Sequence, residues 1–152
     1  METNNDFHFQ LIEGIPSNDQ IQSLLNVYST IFEDAQPGFF KDRLYEKNNV
    51  LAILALKNNS VVGFKIGYEY DQTTFYSWIG GVIEKHRKKG IAKHLAKLQE
   101  QWVGDQGYSK LRTKSMNQFK NMMVLNLKNG FDIKTIYTND SGQTKIIFEK
   151  EI

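Results

Sequence analysis

A strand pattern changes to a helical pattern within the stretch Val82-Ile83-Glu84-Lys85-His86-Arg87-Lys88-Lys89-Gly90-Ile91-Ala92. The β-branched and aromatic residues that lead into it, over 73–83, are typical of a strand. The apolar residues that follow recur at helical spacing, and this stripe begins only at Ile91. Residues 87–92 are therefore predicted to lie at the N-terminus of a helix that directly follows a strand.

A helix N-terminus at this point predicts a binding site for an anion. The first N–H groups of a helix have no partner within the helix, and the helix dipole adds positive potential there. Gly90 has no Cβ, so a phosphate could come close to the backbone, and basic side chains surround it. The two common nucleotide fingerprints are missing, because no Gly-x-Gly-x-x-Gly follows a strand and no Gly-Lys-Ser/Thr closes a glycine-rich loop.

The rest of the chain alternates between the same two periods. Ser17 followed by Gln20 is a capping box, which predicts a helix that begins there and ends before Pro37. Runs of apolar, β-branched and aromatic residues predict strands over 6–13, 50–56, 61–70, 73–83, 108–114, 131–137 and 144–148. Further helices are predicted over 39–47, from Ile91 to a stop at Gly107, and over 117–128. This order predicts an α/β domain with a mixed sheet.

Two neighbouring glycines, Gly80 and Gly81, lie near the end of the fourth predicted strand. Paired glycines weaken a strand ladder, and they mark a bulge, a close approach of other backbone, or a plain kink. The sequence leaves these alternatives open.

The composition predicts one globular domain over residues 1–152. The chain is 40% hydrophobic and 24% charged with 2 prolines, which excludes collagen-like and low-complexity classes. It has 0 cysteines, so disulfides, thiolate metal sites and a cysteine nucleophile are excluded. Neither a signal peptide nor a long apolar run is evident, so we expect a soluble, cytoplasmic protein with no membrane partner.

Basic side chains are concentrated between Lys85 and Lys97, although the net charge is only +2. A solvated helix face is the simplest explanation of such a run. A nucleic-acid binder would use the same stretch, but it needs a broader basic face than a net charge of +2 provides. We therefore expect no nucleic-acid partner.

The junction resembles that of the GCN5-related N-acetyltransferase (GNAT) family. The family pattern is Arg or Gln, two residues, Gly, one residue, then Gly or Ala, and here it stands as Arg87, Gly90 and Ala92. Further matches to the family pattern are Val82 at the end of the fourth strand, Leu111, Thr113 and Asn117 at the fifth strand, and Gly130-Phe131 after the fourth helix. The resemblance implies a GNAT-like acyl-CoA N-acyltransferase fold, with a mostly antiparallel mixed sheet of six to seven strands and about four helices.

The resemblance also implies where the acyl donor, acetyl-CoA, binds; no metal is implied. The amides of the junction would hold the pyrophosphate, with Arg87, Lys88, Lys89, Gly90, Ile91 and Ala92 as the binding residues. The backbone of Val82 and Ile83, freed by a bulge at Gly80 and Gly81, would pair with the pantetheine arm. Asn117 would contact the pantetheine or a water in the site. The alternative for Asn117 is the N-cap of the helix over 117–128.

One position departs from the family pattern. Many relatives carry a tyrosine four residues before the Gly of Gly-Phe, where it acts as an acid toward the departing thiolate, and here Asn126 stands there. An asparagine supplies no proton at neutral pH, so water, Tyr76 or Tyr137 would serve instead. Asn126 shares a helix face with Met122 and is predicted to point inward, where it would contact the cofactor or form a hydrogen bond in the core.

The implied reaction is acetyl transfer to a primary amine of a small molecule or peptide. Without a cysteine to carry the acyl group, direct attack in a ternary complex is the simpler route. The catalytic candidates are Asn117, Tyr76 and Glu69. Four acids lie in segments that flank the acceptor cleft in the family, where a carboxylate would position a cationic amine: Glu33, Asp34, Glu69 and Asp71.

A different class of function is a non-catalytic acyl-CoA binding module of the same fold. The asparagine at position 126 and the lack of an obvious base motivate this alternative. The acceptor, the acyl-chain preference and the biological process are not specified by these motifs. Exposed edge strands at the chain ends would permit a homodimer, but no pattern in the sequence shows one.

Overall fold

The computed structural model describes residues 7–152. Its strands and helices are β1 (Phe7–Glu13), α1 (Asn18–Ile31), α2 (Pro37–Glu46), β2 (Leu51–Lys57), β3 (Ser60–Glu69), β4 (Thr74–Val82), α3 (Ile91–Asp105), β5 (Lys110–Met116), α4 (Lys120–Lys128), β6 (Asp132–Thr138) and β7 (Thr144–Glu151). The strands form one seven-stranded sheet in the order β1-β2-β3-β4-β5-β7-β6. Neighbouring strands are antiparallel except β4 and β5, which are parallel. The predicted fold class is therefore confirmed.

The capping box fixes the start of α1. The hydroxyl of Ser17 accepts from the N–H of Gln20 at 3.2 Å, and the side-chain oxygen of Gln20 accepts from the N–H of Ser17 at 2.8 Å. Each bond satisfies an N–H group that the first helical turn leaves without a partner. The helix ends at Ile31, before Pro37, as the sequence predicts.

Helices cover both faces of the sheet. On one face α1 and α2 bury Leu24, Phe40 and Leu44 against Phe64 and Ile66 of β3. On the other face α3 packs over β2, β3 and β4. The residues buried there include Leu51, Ile53, Phe75, Leu95, Val103 and Phe148. Alternate residues of the central strands thus face different cores, as strand geometry requires.

The bulge in β4 lies at Trp78, and the predicted bulge at Gly80 and Gly81 is wrong. Ile79 pairs with Ile66 and Ser77 with Gly67, which leaves Trp78 as the extra residue. The two glycines stay in register and serve close approach instead. A Cβ on Gly80 would lie 2.9 Å from the carbonyl of Phe64.

The segment around α4 differs from the sequence prediction at its start. The helix begins at Lys120 with Phe119 as its N-cap, so the predicted N-cap role of Asn117 is wrong. The residues before it belong to β5, which extends to Met116 because it pairs with Lys145 of β7 there. A short 3₁₀ turn at Glu84–His86, which no sequence pattern predicted, connects β4 to the loop before α3.

Candidate active site

β4 and β5 diverge after the first three residues of each strand. Their parallel pairing ends at Tyr76 and Arg112. Beyond that point β4 stays paired with β3 as far as Val82, and β5 stays paired with β7 as far as Met116. The bulge at Trp78 lies at this divergence, and bulges bend the strand that carries them. A wedge-shaped gap therefore opens between the two strands.

The backbone of β4 presents polar groups to this gap. The N–H of Ile83 donates to the carbonyl of Val62 in β3 at 2.9 Å. Successive residues of a strand direct their N–H and C=O groups to opposite sides. The backbone groups of Val82 and Gly80 therefore face the gap, where an extended molecule with amide groups can add as a further strand.

One end of the gap leads to the first amides of α3. Gly90 is the N-cap residue, with φ +80, and no side chain of the described residues caps the helix. The first helical hydrogen bond runs from the N–H of His94 to the carbonyl of Gly90 at 3.0 Å, so the N–H groups of residues 91–93 point out of the helix. A Cβ on Gly90 would meet nothing within 4 Å. The space beside Gly90, where these amides begin, is therefore open, as an anion site requires.

The loop before α3 is held in place by Arg87. Its Nε donates to the carbonyl of Val82 at 2.9 Å, which ties the loop to the end of β4. Lys88 has φ +63, a left-handed conformation that favours glycine. The exposed cations around the amides are Lys85, Arg87, Lys88, Lys89, Lys93 and Lys97. Their charge adds to the positive potential of the helix N-terminus.

The two asparagines predicted to contact the donor lie in different environments. Asn117 is exposed in the loop after β5, and its carbonyl accepts from Nζ of Lys120 at 2.9 Å. Asn126 is the buried residue of α4, and its carbonyl accepts from the N–H of Phe131 at 3.0 Å. The inward orientation predicted for Asn126 is confirmed. Several apolar side chains of the same helix stay about half exposed: Phe119, Met122, Val124, Leu125 and Leu127.

A cleft of about 500 Å³ opens on the α1/α2 face of the sheet, beside the start of the gap. It is lined by Arg43, Lys47, Tyr68, Glu69, Tyr70, Tyr76, Arg112, Thr113, Lys114, Tyr137 and Ile147. Thr113 belongs to both regions, because its hydroxyl also donates to the carbonyl of Ser77 at 3.1 Å across the divergence of β4 and β5. The gap and this cleft therefore meet at Thr113.

Two of the three catalytic candidates, Tyr76 and Glu69, line the cleft, whereas Asn117 does not. Burial raises the pKa of Tyr76 to about 12, so its phenol is neutral and can donate a hydrogen bond. Oε1 of Glu69 accepts from the hydroxyl of Tyr108 at 2.7 Å and from Nδ2 of Asn49 at 3.3 Å. Tyr137, the other tyrosine considered as a proton donor, also lines the cleft.

The remaining acids predicted near the acceptor do not line the cleft. Asp71 stabilises the turn between β3 and β4, where Oδ1 accepts from the N–H groups of Thr73 and Thr74 at 2.9 and 2.8 Å. These hydrogen bonds lower the pKa of Asp71, and the bond from the N–H of Thr73 has the largest effect. Glu33 and Asp34 are exposed in the connection between α1 and α2. The charged side chains that line the cleft are therefore mainly cations.

Sequence reasoning missed these cations, although their spacing carries a signal. Arg43 lies on α2, and Lys47 is the C-cap residue of that helix, four positions later. The N–H of Lys47 still donates to the carbonyl of Arg43, so the two residues lie on the same side of the helix end. Arg112 and Lys114 are two residues apart on β5, which places them on one sheet face. The signal does not say that the two pairs face each other, since that depends on how α2 packs on the sheet.

Lys65 of β3 is a further residue that the sequence did not single out. It is half-buried and lies beside Gly80, where a Cβ would be 3.3 Å from Cγ of Lys65. Burial lowers the pKa of Lys65 to about 8. Because Gly80 has no side chain, the aliphatic part of Lys65 fits beside it, next to the gap.

None of the helices in residues 7–152 combines the length and apolar character that crossing a bilayer requires. Nor do three or more histidine, aspartate or glutamate side chains of that range group as metal ligands would.

Known proteins share both a sequence profile and a fold with this chain. The sequence profile of the Acetyltransferase (GNAT) family matches residues 19–123. That span includes α3 with its amides, the diverging strands and the cationic residues of α2 and β5. No curated protein sequence matches the chain significantly.

Solved structures share the fold at low identity. A GNAT family acetyltransferase from Elizabethkingia anophelis with acetyl-CoA bound superposes with a TM-score of 0.75 at 20% identity, over 98% of this chain and 100% of the other. The ribosomal-protein-S18-alanine N-acetyltransferase from Escherichia coli gives 0.79 at 14% identity, over 95% and 94%. The PaiA N-acetyltransferase from Thermoplasma acidophilum in complex with coenzyme A gives 0.70 at 15% identity, over 95% and 99%. The family profile, which spans most of the chain, and this shared fold lead to one conclusion: the chain belongs to the GNAT family of acetyltransferases.

Proposed function

We propose that this chain is an acetyl-CoA-dependent N-acetyltransferase that acetylates a primary amine of a small molecule or peptide. The observation that carries the proposal is the gap between β4 and β5, which leads from the open amides of α3 to the cleft at Thr113. Acetyl-CoA has a pyrophosphate, an arm with two amides and a thioester, in that order. The N-terminus of α3 suits the pyrophosphate, the β4 edge suits the arm, and the cleft suits the acetyl group.

The residues that would hold the donor follow from this path. The amides and cations of residues 87–92 would bind the pyrophosphate. Ile83 keeps its N–H on β3, so Val82 and Gly80 are the residues whose backbone would pair with the arm. The carbonyl of Val82 already accepts from Arg87, so Val82 would offer its N–H. We propose that Asn126, buried on α4, packs beside the arm, while Asn117 is exposed and contacts the donor only from the rim of the gap.

The proposed reaction is direct attack of a neutral amine on the thioester carbonyl. The C–N bond forms, the C–S bond breaks, the amine nitrogen loses one proton, and the thiolate that leaves takes up one proton. Tyr76, whose pKa is raised to about 12, would donate a hydrogen bond rather than a proton. Tyr137 lines the same cleft and reaches solvent, so we assign it the proton transfer to sulfur.

Calorimetric titration with acetyl-CoA tests the donor site, with dephospho-coenzyme A and ATP as comparison ligands. Saturable binding of the thioester is expected. No binding at millimolar concentration would refute both acetyl transfer and the binding module. Release of free thiol in the presence of amines then separates the two functions, because silence across a broad amine panel with intact donor binding would favour the module. We expect Tyr137→Phe to lower kcat and to leave the Kd of acetyl-CoA unchanged.

A further inference from the structure

The charge of the acceptor cleft is strongly one-sided. Four cations line it, Arg43, Lys47, Arg112 and Lys114, against the one carboxylate of Glu69. Oε1 of that carboxylate is engaged by a tyrosine hydroxyl and an asparagine amide, as described above, and no cleft cation lies within ion-pair distance of it among residues 7–152. A region of like charge in a concave site concentrates ligands of the opposite charge.

Arg112 is the cation of the cleft that is neutralised. Its Nε and Nη2 contact Oε2 of Glu149 at 2.7 and 2.6 Å, across the β5–β7 pair. Its guanidinium also lies 4.2 Å from the ring centre of Tyr70. Arg112 is therefore committed to the sheet, and its charge contributes little to ligand binding.

The other three cations have no carboxylate partner within 4 Å among the described residues. Arg43 is preorganised: its guanidinium lies 4.6 Å from the ring centre of Phe39 and 5.2 Å from that of Trp78, and Nη1 donates to the hydroxyl of Tyr68 at 3.3 Å. Lys47 lies 5.2 Å from the ring of Tyr68. These aromatic contacts orient the cations without neutralising them.

Lys114 completes the set from the opposite wall. Its Nζ lies 5.8 Å from the ring centre of Tyr137 on the β6–β7 hairpin, while Arg43 and Lys47 come from the C-terminal end of α2, where Lys47 is the C-cap residue. Cations on two walls, with tyrosine rings beside them, form a pocket for one anionic group on a partly apolar molecule. The tyrosine hydroxyls add hydrogen-bond donors to that pocket.

We propose that the acceptor is an amine that carries its own anionic group, a carboxylate or a phosphate, which Arg43, Lys47 and Lys114 bind. The inference rests on the proposed function, because it names the substrate class of the same site. A simple cationic amine or polyamine is disfavoured by the same charges. The cations also disfavour the ammonium form of the bound amine, so they help to supply the neutral nucleophile without a dedicated base.

Binding of a matched probe pair tests the proposal independently of catalysis. N-acetyl-L-phenylalanine and N-acetyl-L-phenylalaninamide have nearly the same shape, but only the first is an anion. We expect the protein saturated with coenzyme A to bind the anion about tenfold more tightly in calorimetry, and the preference to shrink with added salt. Thiol release with acetyl-CoA then compares L-phenylalanine with its amide, and O-phosphoethanolamine with ethanolamine, which separates carboxylate from phosphate as the anion.

The variant Lys47→Gln/Lys114→Gln keeps most of both stems and removes both charges. We expect it to lose most of the preference, whereas Lys41→Gln, an exposed lysine of α2 outside the cleft, keeps it. The proposal is overturned if the neutral member of each pair binds or reacts as well as the anion, if neither probe binds, or if the preference survives in the double variant. A failure of the proposed acetyl transfer would give a different result. Thiol release would then be absent with every amine, while the protein would still bind the anionic probe more tightly than the neutral one.

Discussion

The second residue of α3, Ala92, allows a test in which stability and donor binding change in opposite directions. Its side chain is exposed, and its N–H is one of those that point out of the helix N-terminus. Ala92→Glu adds a negative charge there, and Ala92→Gln adds nearly the same atoms without the charge. Because an acidic side chain interacts favourably with the helix N-terminus, the Glu variant should be the more stable by about 0.3–1 kcal/mol.

The same carboxylate should weaken acetyl-CoA binding if the pyrophosphate lies at these amides. Two unit charges about 4 Å apart interact by about 1 kcal/mol in water and about 4 kcal/mol near a protein surface. The exposed position of Ala92 favours the lower part of this range, so we expect a loss of about 1.4 kcal/mol, which is about tenfold in Kd. Surrounding lysines offset part of the added charge, which is a second reason to expect the lower part of this range.

Calorimetry on the two variants at low and high salt measures this difference, and urea denaturation measures their stabilities. The Glu variant should be the more stable protein and the weaker binder, and the difference in binding should shrink with salt. Equal Kd values for the two variants at low salt would refute the location of the pyrophosphate. A Glu variant that is both less stable and weaker in binding would instead indicate local damage to α3.

Three further predictions concern the sheet and its charges. Gly67→Ala should lower the free energy of unfolding in urea by about 3 kcal/mol, because its Cβ would lie 2.6 Å from the carbonyl oxygen of Tyr76 and would clash with the ring of Phe75 on β4. The control Gly38→Ala meets nothing within 4 Å and should be neutral or stabilising. Between about pH 8 and 10.5 the unfolded lysine binds its proton more strongly than the folded one, so the stability of the wild-type protein should rise with pH in that window. The gain is at most about 3 kcal/mol, and less because the side chain of Lys65 is only half-buried. Lys65→Met should remove this rise. Glu149→Gln should lower stability by about 2 kcal/mol through the uncompensated charge of Arg112, and a stability unchanged in denaturation would show that the pair contributes nothing.

The order of the elements could be predicted because local signals decide it. The capping box at Ser17 and Gln20 fixes the start of α1, and the change of period before Ile91 fixes the start of α3. The start of α4 could not be predicted, because β5 extends to Met116 only through its pairing with a strand that comes later in the chain. Pairing of distant strands overrides local preference at such boundaries.

The position of the bulge shows a different limit. The paired glycines indicated the strand that carries the bulge but not its position. Gly80 allows the backbone of β3 to come close, and Gly81 allows the side chain of Ile31 to come close. The bulge itself falls at Trp78, which has no local signal for it. Its position depends on the register between β3 and β4, and the register is decided by which side chains reach each core.

The cluster of cations in the cleft could not be predicted from the sequence either, because it also depends on the packing of distant elements. Arg43 lies on α2 and Lys114 on β5, and only the packing of α2 beside the diverging strands brings them to one cleft. Positive charge then lies at both ends of the gap, at the amides of α3 and at the acceptor. Under the proposed function, a polyanionic donor would be drawn in from one end and an anionic amine from the other, and the ammonium form of that amine would be disfavoured where the two meet at Thr113. A single feature, the divergence of β4 from β5, would thus place the amine, in the protonation state that can react, beside the end of the proposed donor path.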